Sequence, residues 1–166
     1  MAFSRIIALL SPELILCATG LIVLGCDLIW REEEKKSWLP RLAVAGLVVA
    51  LVATISLWGT EQPLLSAMMT VDAFALFFKI IAILVTALVA LASIDYLKRR
   101  TPYQFEFYAL LLFVALSMTL ASSAINLIMI YLSMEFLSIT SYILAGYIRQ
   151  DTKSNEAAIK YFLYGA

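Results

Sequence analysis

The sequence predicts an all-α membrane protein, a polytopic bundle of about six transmembrane helices in one domain. Of its 166 residues, 63% are hydrophobic and only 14% are charged, and the mean hydropathy is +0.95. Soluble domains of this size do not have such a composition. Apolar stretches of about 18 to 25 residues recur along the whole chain, and each is long enough to cross a bilayer. A secretory signal would be a single such stretch before a polar domain, so we expect the apolar N-terminus to be a retained helix.

Five complete spans and the start of a sixth are expected. The five run from Pro12 to Trp30, Pro40 to Trp58, Ala73 to Leu97, Phe105 to Ser122 and Asn126 to Tyr147. The first opens on a helix-start pattern, with Ser11 as cap, proline at the first helical position and an acid in the first turn. Asp72 is a plausible cap of the third. The sixth begins near Asn155 and is still helical at Ala166, so we expect a longer protein or a separate chain that completes it.

The basic residues predict the orientation. Nine Lys and Arg follow the odd-numbered spans: Arg31, Lys35, Lys36, Arg41, Lys98, Arg99, Arg100, Arg149 and Lys153. The N-terminal tail and the connections after spans two and four hold only Arg5. Because basic loops stay in the cytoplasm or its equivalent, the N-terminus is expected on the outer, positive side. No linker or repeat divides the chain, so residues 1–166 are expected to form one domain.

Composition argues against several kinds of site. The formal net charge is zero, which does not suggest a nucleic-acid partner. There is no His, and Cys17 and Cys26 lie nine residues apart on one predicted helix, on opposite faces. We therefore expect free thiols and no metal or iron–sulfur site. Nucleotide-binding glycine motifs are also lacking, and no cofactor is expected in this chain.

Glu135 is the strongest candidate for a functional residue. It stands near the middle of the fifth span, where a charge costs about 2.5 to 3.5 kcal/mol on insertion scales and usually faces a bundle interior or water. Tyr131, Ser138 and Tyr142 share its helical face, and Arg149 emerges on nearly that face at the inner end. A carboxylate between desolvation and a nearby cation can take up and release a proton. The alternative is a permanently paired or protonated Glu that holds helices together.

Two lysines are further candidates. Lys160 lies five residues into the sixth span, about 10 Å shallower than Glu135, which suits two sites linked by water or a third residue. Its alternative is a local bridge to Glu156, four residues earlier. Lys79 lies about 10 Å below the outer end of span three with no acid at helical spacing, so its partner must be on another helix. The remaining acids at helix ends are explained by caps and solvated faces, without chemistry: Glu13, Asp27, Asp72, Asp95 and Glu106.

A family resemblance is carried by Tyr131 to Ala166, "YLSMEFLSITSYILAGYIRQDTKSNEAAIKYFLYGA". A Glu followed by "SITSY", then Gly-Tyr, a basic-acidic loop and "SNEAAIKYFLYGA", resembles subunit 2 of the proton-pumping NADH:quinone oxidoreductases, which is subunit N in bacteria. These enzymes comprise respiratory complex I and its photosynthetic relatives. The upstream spans agree in number, in orientation and in the early "SPE".

The resemblance implies the N-terminal part of an antiporter-like subunit of about fourteen helices, in the membrane arm of a multisubunit enzyme. It implies that Glu135 is the family's helix-five glutamate, which pairs with a lysine on helix seven, and that Lys160 is the lysine of helix six. Sister antiporter-like subunits would be neighbours in the bilayer, and quinone, flavin and iron–sulfur clusters would belong to partner subunits. The expected location is the bacterial plasma membrane, with organellar and thylakoid membranes as alternatives.

Two other functions remain open. An Mrp-type or hydrogenase-associated cation/proton antiporter subunit would share the helix-five Glu, although "SNEAAIKYFL" favours subunit 2. A structural membrane scaffold would use its charges only to bind helices together, and three unpaired deep charges count against it. The electron donor, NADH or ferredoxin, and the transported ion, proton or sodium, also remain open.

Overall fold

The computed structural model describes residues 3–29, 38–65, 68–101 and 104–165. Within these ranges the chain forms seven helices and one short hairpin, so the prediction of a transmembrane helical bundle is confirmed. In chain order the elements are α1 (Phe3–Leu9), α2 (Ser11–Ile29), α3 (Leu39–Ser56), β1 (Gln62–Leu64), β2 (Met69–Val71), α4 (Ala73–Arg100), α5 (Gln104–Ser123), α6 (Leu127–Ala145) and α7 (Thr152–Gly165). The basic residues Arg31, Lys35 and Lys36 and the side chain of Asp27 lie outside the described part.

Helix length and composition identify the spans. Among the described residues, α3, α4, α5 and α6 are each long and apolar enough to cross a membrane, and α2 adds a shorter apolar stretch, Ser11–Cys26. Two predicted helix starts are confirmed by side-chain caps. Asp72 accepts a hydrogen bond from the backbone N–H of Ala75 at 2.7 Å, and Asn126 accepts one from Ile128 at 2.9 Å.

Helices α2, α3, α4 and α5 form a four-membered bundle. α2 packs against α3 and α5, and α4 packs against the same two helices, so α2 and α4 face each other across the interior. Most of the core between them is apolar, and the largest fully buried side chains of this apolar cluster are Leu16, Leu47, Ile83, Tyr108 and Leu112. Because these side chains face the interior, the exposed apolar side chains on the outer faces of the helices are available to contact lipid. We call the end where α2, α4 and α6 begin the predicted outer end.

Helices α6 and α7 extend the bundle on one side. α6 packs on α5, and α7 packs on α6. The hydroxyl of Ser154 donates a hydrogen bond to the carbonyl of Ala145 at 2.8 Å, which joins the end of α6 to the beginning of α7. Only Ser133 and Thr140 of α6 are buried, and no described residue of α7 is. Most of this helix pair therefore faces away from the described part of the chain.

Two elements were not predicted. Helix α1 precedes the first span and is separated from α2 by a one-residue turn at Leu10, because Pro12 has no N–H to donate to the preceding helical turn. The hairpin pairs β1 with β2 in antiparallel register between α3 and α4. Its second strand also bridges to Ala124, and the carbonyl of Met68 accepts from the N–H of Ile125 at 3.0 Å. The hairpin thus ties the α3–α4 connection to the α5–α6 connection at the predicted outer end.

Candidate functional site

Glu135 lies in the middle of α6. It is eight residues from Leu127 and ten from Ala145, or about 12 Å and 15 Å along the helix axis. Its side chain is exposed, and no ion pair or hydrogen bond joins it to any described residue. The carboxylate therefore points to the side of α6 that the described chain leaves uncovered.

The polar stripe of α6 continues from Glu135 toward α7. Tyr142, two turns after Glu135, is half-buried, and its ring meets the ring of Tyr161 edge-on with centroids 4.8 Å apart. It also meets Phe162 at 5.7 Å. Tyr161 directly follows Lys160, so Tyr142 links the stripe that holds Glu135 to the part of α7 that holds Lys160.

Arg149 is not a partner of Glu135. α6 ends at Ala145, and Arg149 lies in the following turn, where its guanidinium is 3.6 Å from the carboxylate of Glu106. Both side chains are well exposed, at 77% and 37%. The expectation that this arginine extends the Glu135 face is wrong because the chain leaves the helix four residues before it.

Lys160 contacts Glu156, as the alternative prediction of a local bridge stated. Its ammonium lies 2.5 Å from Glu156 Oε1, and both side chains are 63% exposed. The helix also starts earlier than predicted, at Thr152, because Asp151 caps it by accepting from the N–H of Lys153 at 2.9 Å. Lys160 is six residues beyond Ser154, which is level with Ala145, so the difference in depth from Glu135 is about 6 Å rather than 10 Å.

Lys79 forms an ion pair with Glu13. Its ammonium lies 2.5 Å from Glu13 Oε1, and the two side chains are 1% and 5% exposed. The prediction that its partner lies on another helix is confirmed, since Glu13 belongs to α2 and Lys79 to α4. Neither carboxylate oxygen of Glu13 accepts a well-directed hydrogen bond from the described residues. The expectation of three unpaired deep charges is therefore wrong for Lys79 and Lys160, and Glu135 alone has no partner among the described residues.

Glu13 was wrongly assigned to a solvated helix end. Helix α1 runs directly into α2, with the N–H of Leu14 donating to the carbonyl of Leu10 at 2.9 Å, so helical chain lies on both sides of Glu13. The apolar run Ile6–Leu10 before Ser11 is the signal that could have indicated this. A chain that reaches the bilayer surface at Ser11 would not be preceded by five apolar residues.

No metal centre is apparent in the part of the chain described here, where no three His, Cys, Asp or Glu side chains cluster. Cys17 and Cys26 are free thiols on α2, as their spacing predicted, and both are half-buried. The candidate site residues are a glutamate and two lysines, whose side chains can bind and release protons.

Comparison with known proteins relates the chain to quinone oxidoreductases. Residues 124–166, which contain α6 and α7, match the family model described as NADH:quinone oxidoreductase/Mrp antiporter, transmembrane. NADH-quinone oxidoreductase subunit N 1 of Solibacter usitatus is 37% identical over 93% of this chain and 32% of its own length. NAD(P)H-quinone oxidoreductase subunit 2 of Microcystis aeruginosa is 38% identical over all of this chain and 34% of its own length. The chain thus spans about a third of the curated relatives it matches.

A solved structure supports the same relationship. A chain of respiratory complex I from Thermus thermophilus, solved with bound aureothin, superposes with a TM-score of 0.74 at 26% identity, over 93% of this chain and 33% of that one. The fold and the apolar spans establish an integral membrane protein. Nearly the whole chain is homologous to subunit N and subunit 2 of quinone oxidoreductases, and it matches about one third of the length of each of these relatives.

Proposed function

We propose that the protein is a proton-translocating membrane subunit of a complex I type quinone oxidoreductase. Quinone reduction in partner subunits would be coupled to proton transfer through Glu135, with Lys160 and Lys79 as further stations. The observation that carries the proposal is a carboxylate at mid-membrane depth, without a cation beside it in the described chain, in the segment that matches the oxidoreductase/antiporter family model.

The exposure of Glu135 fits a longer protein. A carboxylate facing lipid at this depth would cost about 2.5 to 3.5 kcal/mol, so its uncovered side should meet protein or water. The curated relatives are about three times as long as this chain, and further helices of such a protein could cover α6. The resemblance implies a lysine on the next helix but one as the partner. As this lysine approached Glu135, it would favour the ionised carboxylate and release of a proton; as it moved away, Glu135 would take up a proton again.

Lys160 would be the next station toward the inner end. Its bridge to Glu156 is exposed, and an exposed bridge between residues four apart on a helix stabilises by only about 0.3 to 0.5 kcal/mol. This is a weak restraint, so Lys160 could leave Glu156 at little cost when another group or water competes for it. The hydroxyl of Tyr142 lies against Gly165 of α7, so it is a group between the two helices through which a proton could pass.

The proposed partners are inferred from the complexes to which the relatives belong. The relatives' names describe subunits of oxidoreductases, and the structural neighbour is a chain of respiratory complex I. We infer that this subunit lies among other membrane-arm subunits, including sister antiporter-like subunits, in a multisubunit enzyme. It would be a non-redox part of a translocase, with quinone, flavin and iron–sulfur clusters held by partners.

An Mrp-type or hydrogenase-associated antiporter subunit is the second candidate, because the matching family model covers antiporters as well. Purification of the native assembly separates the two. A flavin and iron–sulfur arm that co-purifies with this subunit supports the oxidoreductase, whereas an assembly without redox groups that exchanges sodium for protons supports the antiporter.

The direct test is Glu135→Gln in the intact complex. Gln keeps the shape and the hydrogen-bonding capacity of Glu while removing the titratable charge. If the carboxylate relays protons, proton uptake and coupled quinone reduction should fall together, because a blocked ion step holds back the linked electron step. Glu135→Asp should keep part of both activities. The measurements are quinone reductase activity and proton uptake in membranes, with assembly confirmed by native gel.

The matched control is Glu61→Gln, an exposed carboxylate in the connection between α3 and β1. It removes the same charge without reaching the membrane interior and should leave both activities unchanged. Normal pumping in an assembled Glu135→Gln complex would remove Glu135 from the mechanism, and with it the proposed function of this site.

A further inference from the structure

The Glu13 and Lys79 ion pair crosses the interior of the four-helix bundle. α2 and α4 are opposite members of that bundle, each packed on α3 and α5, and the two side chains reach each other through the space between them. Lys79 is six residues from the start of α4, or about 9 Å from the predicted outer end. The pair is therefore enclosed by protein, in contrast to Glu135 and Lys160, which the described chain leaves exposed.

Among the described residues, each charge of the pair has only the other as its ion-pair partner. Two buried hydroxyls at this end are turned to their own helices, since Thr54 donates to the carbonyl of Ala50 at 2.8 Å and Thr119 donates to that of Leu116 at 2.8 Å. The buried hydroxyl of Ser123, at the end of α5, has no hydrogen-bond partner among the described residues. Asp72 caps α4 and is only half-buried. The other charged side chains described near this end are exposed, Arg5 on α1 and Glu61 in the connection after α3. Among the described residues, Lys79 is thus the one cation that pairs with the Glu13 carboxylate.

A scaffold would not need such a pair. Apolar side chains of similar volume are often as stable as a buried ion pair or more so, whereas loss of one partner costs about 3 to 5 kcal/mol. The bundle already has a continuous apolar core, so closure of the helices does not depend on these charges. Glu13 Oε1 lies 2.5 Å from Lys79 Nζ, close enough for a proton to pass directly between the two groups.

We propose that Glu13 and Lys79 form a second proton-transfer site of this subunit, near the outer end and separate from Glu135. The inference rests on the proposed function, which brings protons to this part of the membrane. One ammonium N–H bond of Lys79 breaks as an O–H bond of Glu13 forms, which converts the ionic pair into a neutral acid and amine. Glu13 then releases that proton to water at the outer side, and the Lys79 amine takes up the next proton from the interior. One proton enters and one leaves in each cycle.

The test uses variants of the complete complex in membranes. Glu13→Gln and Lys79→Met each leave one charge without its partner and should impair assembly or stability whatever the role of the pair. The double variant Glu13→Gln/Lys79→Met removes both charges with nearly unchanged volume, so it is the informative one. A proton-transfer site predicts that the double variant assembles and loses most of its proton pumping. Lys79→Arg/Glu13→Asp, which keeps both charges, should retain part of the pumping.

Thr54→Val is the matched control, because it replaces a buried polar side chain at the same end by an isosteric apolar one. It should assemble and pump normally. Normal pumping by an assembled double variant would overturn this inference, and so would failure of the double variant to assemble, since either result assigns the pair a structural role. Glu135→Gln in the same assay separates the proposals. Loss of pumping there with normal pumping in the Glu13/Lys79 double variant refutes only the second site.

Discussion

Gly46 of α3 packs directly against Thr19 of α2, and its replacement tests the packing of the bundle. A Cβ added at Gly46 would lie 2.9 Å from Thr19 Cβ and 2.7 Å from Thr19 Oγ1, and still closer to Thr19 Cγ2. Thr19 cannot turn away freely, because its hydroxyl donates to the carbonyl of Ile15 at 2.7 Å. Small residues are the usual means by which two membrane helices approach this closely.

The magnitude follows from a comparison with Gly25, a second helical glycine. A Cβ at Gly25 would meet nothing within 4 Å. Both substitutions to Ala gain about 0.8 to 1 kcal/mol of helix propensity. Only Gly46→Ala also overpacks, which costs about 1 to 3 kcal/mol. Gly25→Ala should therefore stabilise the protein, and Gly46→Ala should be less stable than Gly25→Ala by about 1 to 3 kcal/mol.

The assay is SDS-induced unfolding of the purified protein in detergent micelles, followed by circular dichroism. In a Thr19→Ala background the two closest contacts, with Cγ2 and Oγ1, disappear, while the 2.9 Å contact with Cβ remains. Gly46→Ala should then recover part of the lost stability, as a double-mutant cycle would measure. Equal stability of the two glycine variants, or no recovery in the Thr19→Ala background, would refute the packing argument.

Two further predictions concern orientation and Lys160. Cysteines placed at Glu61 and at Lys35 should be labelled from opposite sides of the membrane, with Glu61 outside, because nine basic residues follow the odd-numbered predicted spans; labelling from one side contradicts the orientation. Lys160→Ala should lower pumping partially and Lys160→Arg should largely preserve it, since an exposed cation can be replaced by another. If Glu156→Ala impairs pumping as much as Lys160→Ala, the pair is only a local bridge.

Sequence alone predicted the spans well because the bilayer dictates their length. About 20 apolar residues are needed to cross it, and a cap such as Asp72 or Asn126 marks where a helix begins. The hairpin escaped prediction because its strands have three residues each and one contains Pro63, a pattern weaker than any helix signal.

The candidate site was predicted only in part, since pairing across a bundle depends on which helices face each other. Helical spacing showed that Lys79 has no acid within reach on its own helix. It could not show which helix faces Lys79 in the bundle. Glu13 was therefore missed although its partner had been singled out. For Lys160 the spacing to Glu156 was sufficient, because residues four apart on a helix meet whatever the tertiary structure.

The attachment of the hairpin to the α5–α6 connection limits where the chain can be opened for engineering. Hairpin tips usually tolerate inserted tags or fluorescent reporters, because little else contacts them. Here the carbonyl of Met68, beside the tip, accepts hydrogen bonds from Ile125 and Asn126, and Asn126 caps the helix that carries Glu135. An insertion between Leu64 and Met69 would therefore disturb the start of α6. The exposed turn around Gly59 and Glu61, before the hairpin, is the better place for an epitope on that side of the membrane.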